Sequence, residues 1–319
     1  MISSSLATPL APLTSSVSSP TAFIDRCHSK LALDDISGMP ELAGALDTIR
    51  RDLSPEEWQA YIADVVVPHR VRPLLYEEPF TRRAFEKPRG YAGDAPMLDL
   101  VYADCSPRMR LTPLGAKLHD WAITSAGCAS VRARRDILAA LIDRIAVERP
   151  SPRMLSVACG HLREAQRSEA VRRGAVAEFV ALDQDRESLA LIAREQRSHN
   201  VTPVHATIRR FLAGGSTFGT FDLVYAAGLY DYLEEPVAQA LTAAMFRTLR
   251  PGGTLLVANF APNLVDIGYM EAVMEWMLIY RTEMEVERFA ARIPAVEIAE
   301  RQTFRDEPGN VVYLTLQRA

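Results

Sequence analysis

A chain of 319 residues, with 48% hydrophobic and 24% charged side chains, is long enough to bury one large core with a smaller unit beside it. Its formal net charge of −4 supplies no field for nucleic acid or an anionic membrane, and no window approaches the roughly 18 uninterrupted apolar residues of a membrane span. The four cysteines, Cys27, Cys105, Cys128 and Cys159, lack C-x-x-C spacing and the six histidines show no ligand pattern, which excludes a zinc site and suits a reducing cytoplasm.

Residues 1–20, MISSSLATPLAPLTSSVSSP, are rich in Ser, Thr and Pro and have neither a basic start nor a continuous apolar run. A disordered leader over 1–21 is expected. From Ala22 to Pro150 the pattern is mostly helical. Ser54-Pro55-Glu56-Glu57 is a helix start with Ser54 as N-cap and Glu57 at the capping-box position, and Leu138, Leu141, Ile142 and Ile145 share one face of a helix over Val131 to Val147. These helices are expected to form a substrate-side cap over 22–150. Inside it, FEKPRGYAGDAPMLDLVY from Phe85 to Tyr102 places Gly90 and Gly93 around Tyr91. Either Tyr91 and Asp94 stand over a ligand, or the stretch is a Gly/Pro turn that carries an aromatic. Arg70, Arg72, Arg82, Arg83, Lys87 and Arg89 alternate with Glu77, Glu78 and Glu86, the mixture of a solvated face and not of a nucleic-acid surface.

The segment from Met154 to Asp185, MLSVACGHLREAQRSEAVRRGAVAEFVALDQD, reads as strand, tight Cys159-Gly160 turn, helix and second strand. Glycine lets the backbone approach a ligand at the head of the first strand, and an acidic residue roughly 20 positions on can accept ribose hydroxyls at the tip of the second. Gly160 and Asp183 have that spacing. The turn has one glycine where G-x-G-x-x-G has three, so a pyrophosphate lacks its close backbone approach. S-adenosylmethionine, which has no phosphate, fits better; an ordinary buried βαβ unit without a ligand is the alternative.

Beyond Asp185, Ser188 to Gln196 is helical, Pro203 to Ala206 a short strand and FDLVYA, Phe221 to Ala226, a buried central strand. A helix carrying Val237, Leu241, Met245 and Leu249 ends at Arg250-Pro251-Gly252-Gly253, before the strand TLLVAN from Thr254 to Asn259. Segments around Val296 to Phe304 and Val311 to Leu316 add two strands, and the α/β sheet ends in a hairpin. Asp266 to Thr282 is expected to be an inserted helix with Tyr269, Val273, Trp276 and Tyr280 on one face.

SVACGHLRE, ALDQD, FDLVYAAGLYDYL and LRPGGTLLVANF, in this order, resemble class I S-adenosylmethionine-dependent methyltransferases from Arg149 to the end. KPRGYAGD, GLYDYL and a late W-x-x-x-Y-R resemble more narrowly the bacterial methyltransferases associated with 3-hydroxypalmitic acid methyl ester. The resemblance implies an α/β, Rossmann-like, seven-stranded, mostly parallel sheet with a C-terminal antiparallel hairpin over 151–319, joined to the N-terminal helical cap. It assigns the methionine end of the cofactor to the turn of Ala158, Cys159 and Gly160, the ribose to Asp183 and the adenine to Gln184, Thr207 and Ile208. Ala226 to Gly228 would form the floor beneath the sulfonium. Two departures stand out: Ser156 occupies a first-strand position that is usually acidic, and Ala158 and Leu162 stand where further glycines are usual.

Methyl transfer needs an acceptor held in line with the carbon–sulfur bond, water excluded and, for an alcohol or amine, a base. Tyr230 and Asp231, after the fourth strand, are candidates to orient or deprotonate the acceptor, with a helix-capping Asp231 and a core Tyr232 as the alternatives. Tyr91 would cover the site. The Trp276 and Tyr280 face is either core or a greasy wall that Arg281 closes by pairing with an acceptor carboxylate. His161, beside Gly160, is either near the cofactor or solvent-exposed. The function expected is methylation of a small, partly apolar molecule, the carboxylate of a hydroxy fatty acid being implied by the narrower resemblance alone. Two other readings stay open: an enzyme that cleaves or cyclises S-adenosylmethionine itself and releases methylthioadenosine, and a non-catalytic S-adenosylmethionine-binding subunit. The oligomeric state is open as well, a homodimer included.

Overall fold

Apolar runs that alternate with amphipathic segments after Arg153 build a single mixed sheet in a computed structural model that describes residues 21–102, 110–196, 200–214 and 218–319. The leader expected over 1–21 lies outside these residues except for Thr21. The strands are β1 (Arg153–Val157), β2 (Glu178–Asp183), β3 (Val201–His205), β4 (Phe221–Ala226), β5 (Leu249–Phe260), β6 (Ile298–Arg305) and β7 (Val311–Arg318). Their order is β3-β2-β1-β4-β5-β7-β6. The first five run parallel, and β7 is antiparallel to both β5 and β6.

Local sequence explains these places. Every residue of FDLVYA is buried, as a central strand covered on both faces requires. β3 lies at one edge, where Pro203 costs no ladder bond, and β6 lies at the other, with Glu300 and Arg301 exposed. The helix before β5 ends at Arg247, and the strand begins at Leu249, so LRPGG is itself the start of the strand. Gly252 has φ +70°, and a Cβ on Gly253 would lie 2.9 Å from the Arg250 carbonyl and 3.0 Å from that of Phe221. The two glycines thus let β5 kink while it stays against β4, at the register shift between Phe221 and Leu223.

Alternate residues of the strands enter two cores. Leu155, Val157, Val180, Val224 and Leu314 pack with Phe246 and Phe289 on one face. On the other face Met154, Phe179, Tyr225 and Tyr313 join Leu138 and Ile142 from the 23-residue helix Ala126–Glu148. The helices over 22–148 therefore share their core with the sheet. Ser54 caps the helix Pro55–Tyr61 in a complete capping box. Among the described residues no helix is long and apolar enough to cross a membrane.

The inserted helix is shorter than its periodicity suggests. It spans Ile267–Ala272, Glu275 turns left-handed at φ 48°, and the chain then runs irregularly to Thr282. Tertiary hydrogen bonds override the helical pattern there: the Ile279 N–H donates to the Asp231 carbonyl at 2.8 Å, and the Arg281 N–H donates to that of Phe260 at 2.9 Å. Gly268 sets the crossing with the helix Met39–Asp52, since a Cβ would lie 2.4 Å from the Asp47 nitrogen.

Candidate functional site

At the carboxyl ends of β1 and β4, where the strand order reverses, the chain leaves a cavity of about 450 Å³. Open parallel sheets bind ligands at this place, and the volume is that of a small-molecule site. One wall is the turn after β1. Ala158, Gly160 and Leu162 alternate through left-handed conformations, with φ values of 56°, 53° and 52°. The turn thus has a glycine-rich backbone course although two of the three positions carry side chains. A Cβ at Gly160 would also lie 3.1 Å from that of Ala95, so the position has little room for one.

Asp183, at the tip of β2, fixes this turn. Its Oδ2 accepts from the Gly160 N–H and its Oδ1 from the Asp185 N–H, both at 2.8 Å. A carboxylate has about four lone-pair sites, so capacity remains for ligand hydroxyls. Burial raises the Asp183 pKa, against those two backbone hydrogen bonds. Cys159 is buried and its thiol is pushed well up, first by burial and then by Asp183, so it is a neutral lining group and not a nucleophile.

The covering wall comes from the helical region. Asp94 caps the helix Ala95–Val101 by accepting from the Met97 N–H and grips Arg83 through two bonds of 2.7 and 2.6 Å, so it shapes the loop from outside the cavity. Arg89 ties the same loop to the next βα unit by donating to Asp185, to Ser188 Oγ and to Glu187. Tyr91 enters the cavity and meets Tyr232 edge-on at 6.5 Å. Burial, followed by Asp183, Asp185 and Asp94, pushes the Tyr91 phenol up to about 12, so it stays protonated at neutral pH and can donate but not act as a base.

A third group of side chains lines the cavity beside the turn, and of these only His161 is a candidate from sequence. Asp99 accepts from His161 Nδ1 at 2.8 Å and from Arg163 at 2.8 and 2.6 Å. Burial opposes the Asp99 charge, but the hydrogen bonds from Arg163 and His161 outweigh it and hold the carboxyl below its usual range. His161 is thus buried and not solvent-exposed. Glu164, Tyr225, Arg134 and Arg135 also line the cavity. The sequence did hold a signal for the arginines. Arg134 and Arg135 interrupt the stripe of Val131, Leu138 and Ile142 on a buried helix, and charges on such a stripe are commonly functional.

The structure brings Ala158, Cys159, Gly160, Asp183, Gln184, Ile208, Gly228 and Tyr91 to one cavity. It places other candidates elsewhere. Thr207 accepts from the Arg210 N–H at the start of the following helix, and Ala226 is fully buried under the floor, where its neighbour Ala227 is the residue that lines the cavity. Tyr230 is in the core, where its hydroxyl meets that of Thr242 at 2.8 Å. Asp231 caps no helix; its Oδ1 accepts from the Phe260 N–H at 2.7 Å. Arg281 is buried and donates to the carbonyls of Tyr230 and Leu233 and to Asn259 Oδ1. Tyr280 stacks beneath the Arg50 guanidinium, 5.8 Å from its ring centroid, and is outside the cavity lining.

Comparison with known proteins adds to this geometry. Residues 154–253 match the model of a methyltransferase domain. The chain is similar to the crystal structure of a possible exported protein from Bordetella parapertussis, with 14% identity, a TM-score of 0.57 and coverage of 93% of this chain and 95% of that one. It overlaps less well with magnesium protoporphyrin IX methyltransferase (ChlM) from Synechocystis PCC 6803 with bound S-adenosylhomocysteine (10% identity, TM-score 0.48, 78% of this chain, 98% of that one). A third overlap is with the N-methyltransferase NodS from Bradyrhizobium japonicum WM9 in complex with S-adenosylhomocysteine (14% identity, TM-score 0.43, 59% of this chain, 87% of that one). No curated protein matches the chain. The fold is the Rossmann-like methyltransferase fold, and the cofactor of such a domain is S-adenosylmethionine.

Proposed function

We propose that this chain is an S-adenosylmethionine-dependent methyltransferase acting on a small, partly apolar acceptor, with the carboxylate of a hydroxy fatty acid as the acceptor class implied by the narrower resemblance. The observation that carries the reading is the cavity where β1 and β4 part, in which the Asp183 carboxylate, the 158–162 turn and Tyr91 face one volume. The donor set fits an adenosyl group: an acceptor-only carboxylate for vicinal hydroxyls, Gln184 beside it, and Ala206 and Ile208 as apolar surface for a purine. When bound, the cofactor supplies a methyl group already activated by its sulfonium.

The chain's own residues then position and exclude. Asp183 orients the ribose from a turn that it also holds rigid, and the loop pinned by Arg89 and Arg83 keeps water from the reacting end. A carboxylate acceptor needs no base, which suits a cavity where Tyr91 and Cys159 both keep their protons. Purified protein incubated with S-adenosylmethionine and an extract of the source cell, read by mass spectrometry, tests the reading. S-adenosylhomocysteine together with a molecule heavier by one CH₂ is expected. Methylthioadenosine without any acceptor would instead make the cofactor the substrate.

A further inference from the structure

One end of the cavity carries opposite charges that do not meet. Glu164, from the short helix Arg163–Arg167, takes a hydrogen bond of 2.5 Å from the Tyr225 hydroxyl and enters no ion pair among the described residues. Arg134 reaches in from the helix Ala126–Glu148, is 7% exposed, and donates to the Ala227 carbonyl at 2.7 Å at the end of β4. Both line the cavity together with Ser156 and Gly160.

Each group keeps unused capacity. A guanidinium has five donors and a carboxylate about four acceptor sites, and the bonds to Ala227, from Tyr225 and from the Glu164 backbone leave capacity on both. Burial raises the Glu164 pKa, against hydrogen bonds from Tyr225 and its own backbone and the more distant charges of Arg134 and Arg135, so its negative charge is held at a cost. A ligand that brings one charge of each sign removes both penalties at once. The neighbouring turn cannot do this itself: Cys159 is neutral, the Gly160 N–H is bound to Asp183, and β1 offers Ser156 where a carboxylate could have stood.

We infer that Glu164 and Arg134 form a zwitterion subsite for the α-amino-acid end of the cofactor, Glu164 taking the ammonium and Arg134 the carboxylate. The inference rests on the S-adenosylmethionine reading and extends it to residues on two elements outside the β1 turn. It makes Glu164, one helix along from β1, the anionic group that the first strand lacks.

The test compares ligands that differ only at this end. Methylthioadenosine has the adenosyl group without the amino acid, and decarboxylated S-adenosylmethionine keeps the ammonium but lacks the carboxylate. By calorimetry, Glu164→Gln and Arg134→Gln should each weaken S-adenosylhomocysteine binding about 10- to 100-fold, and each should leave methylthioadenosine affinity within about twofold. Equal losses for both ligands, or no loss for S-adenosylhomocysteine, would overturn the assignment. Should either variant fold poorly, wild type alone decides: it should bind S-adenosylmethionine at least about tenfold more tightly than the decarboxylated form, and equal affinity would refute the Arg134 role. Wild type that binds no adenosyl ligand at all would remove the cofactor reading, and the subsite with it.

Discussion

Ala158 and Leu162 occupy left-handed backbone in the turn that carries the site, a conformation that costs a side-chain-bearing residue roughly 1–2 kcal/mol. Leu162 recovers that cost through burial, at 1% exposure, whereas the Ala158 methyl has little to recover it with. Ala158→Gly should therefore raise stability by about 0.5–1 kcal/mol in urea unfolding, the strain relief minus the extra unfolded-state entropy of glycine. Asp231 makes a second prediction. Burial pushes its carboxyl up to about 6 from 3.8, against the Phe260 N–H and the charges of Arg134 and Arg281. The folded chain then binds this proton more tightly than the unfolded one, so the contribution is complete below the unfolded pKa and is lost as pH rises through about 6. Asp231→Asn keeps an acceptor for Phe260 and removes the titration. Between about pH 4 and pH 7, wild type should lose on the order of 1–3 kcal/mol relative to that variant. Parallel profiles would show that Asp231 titrates normally.

The 87–94 loop and the segment after β5 differ in what they can tolerate. Gly93 has no room for a side chain, since a Cβ would lie 2.5 Å from the Tyr232 hydroxyl and 2.9 Å from the Trp276 ring. Gly93→Ala should lift the 87–94 loop, separate Tyr91 from Tyr232, and lower kcat/KM about 10- to 100-fold, measured once an acceptor is in hand. After β5, the Arg281 guanidinium is bound to two carbonyls and to Asn259. Arg281→Lys should cost about 1–3 kcal/mol of stability and leave acceptor KM unchanged, the opposite of what a carboxylate anchor would do. The difference between these loops also marks how far the sequence was legible. Strand and helix periodicity and the LRPGG break are local signals, so the sheet and its order of elements could be read along the chain. Asp183 and Gly160 were legible because their spacing within one βαβ unit is local too. Arg281 reads in sequence as an anchor for an acceptor carboxylate, and only tertiary hydrogen bonds to Phe260, Tyr230 and Asn259 send it inward. Glu164, Tyr225 and Arg134 lie 30 to 91 positions apart and come to line one cavity only once the Ala126–Glu148 helix packs against the sheet.

In the whole molecule, one core runs from the N-terminal helices into one face of the sheet, while Arg89 and Tyr91 reach back over the ends of β1 and β2. The βα units after Arg153 and their helical cover are thus two walls of one cavity. A ligand held there must order both walls together, because the Gly160 N–H and the 87–94 loop are each linked to the Asp183–Asp185 segment. Hydrogen exchange read by mass spectrometry, with and without saturating S-adenosylhomocysteine, measures this directly. Slower exchange is predicted in peptides covering 158–164 and in those covering 87–98. Unchanged exchange in both, or protection confined to peptides far from β1 and β4, would contradict the assignment of this cavity to the cofactor.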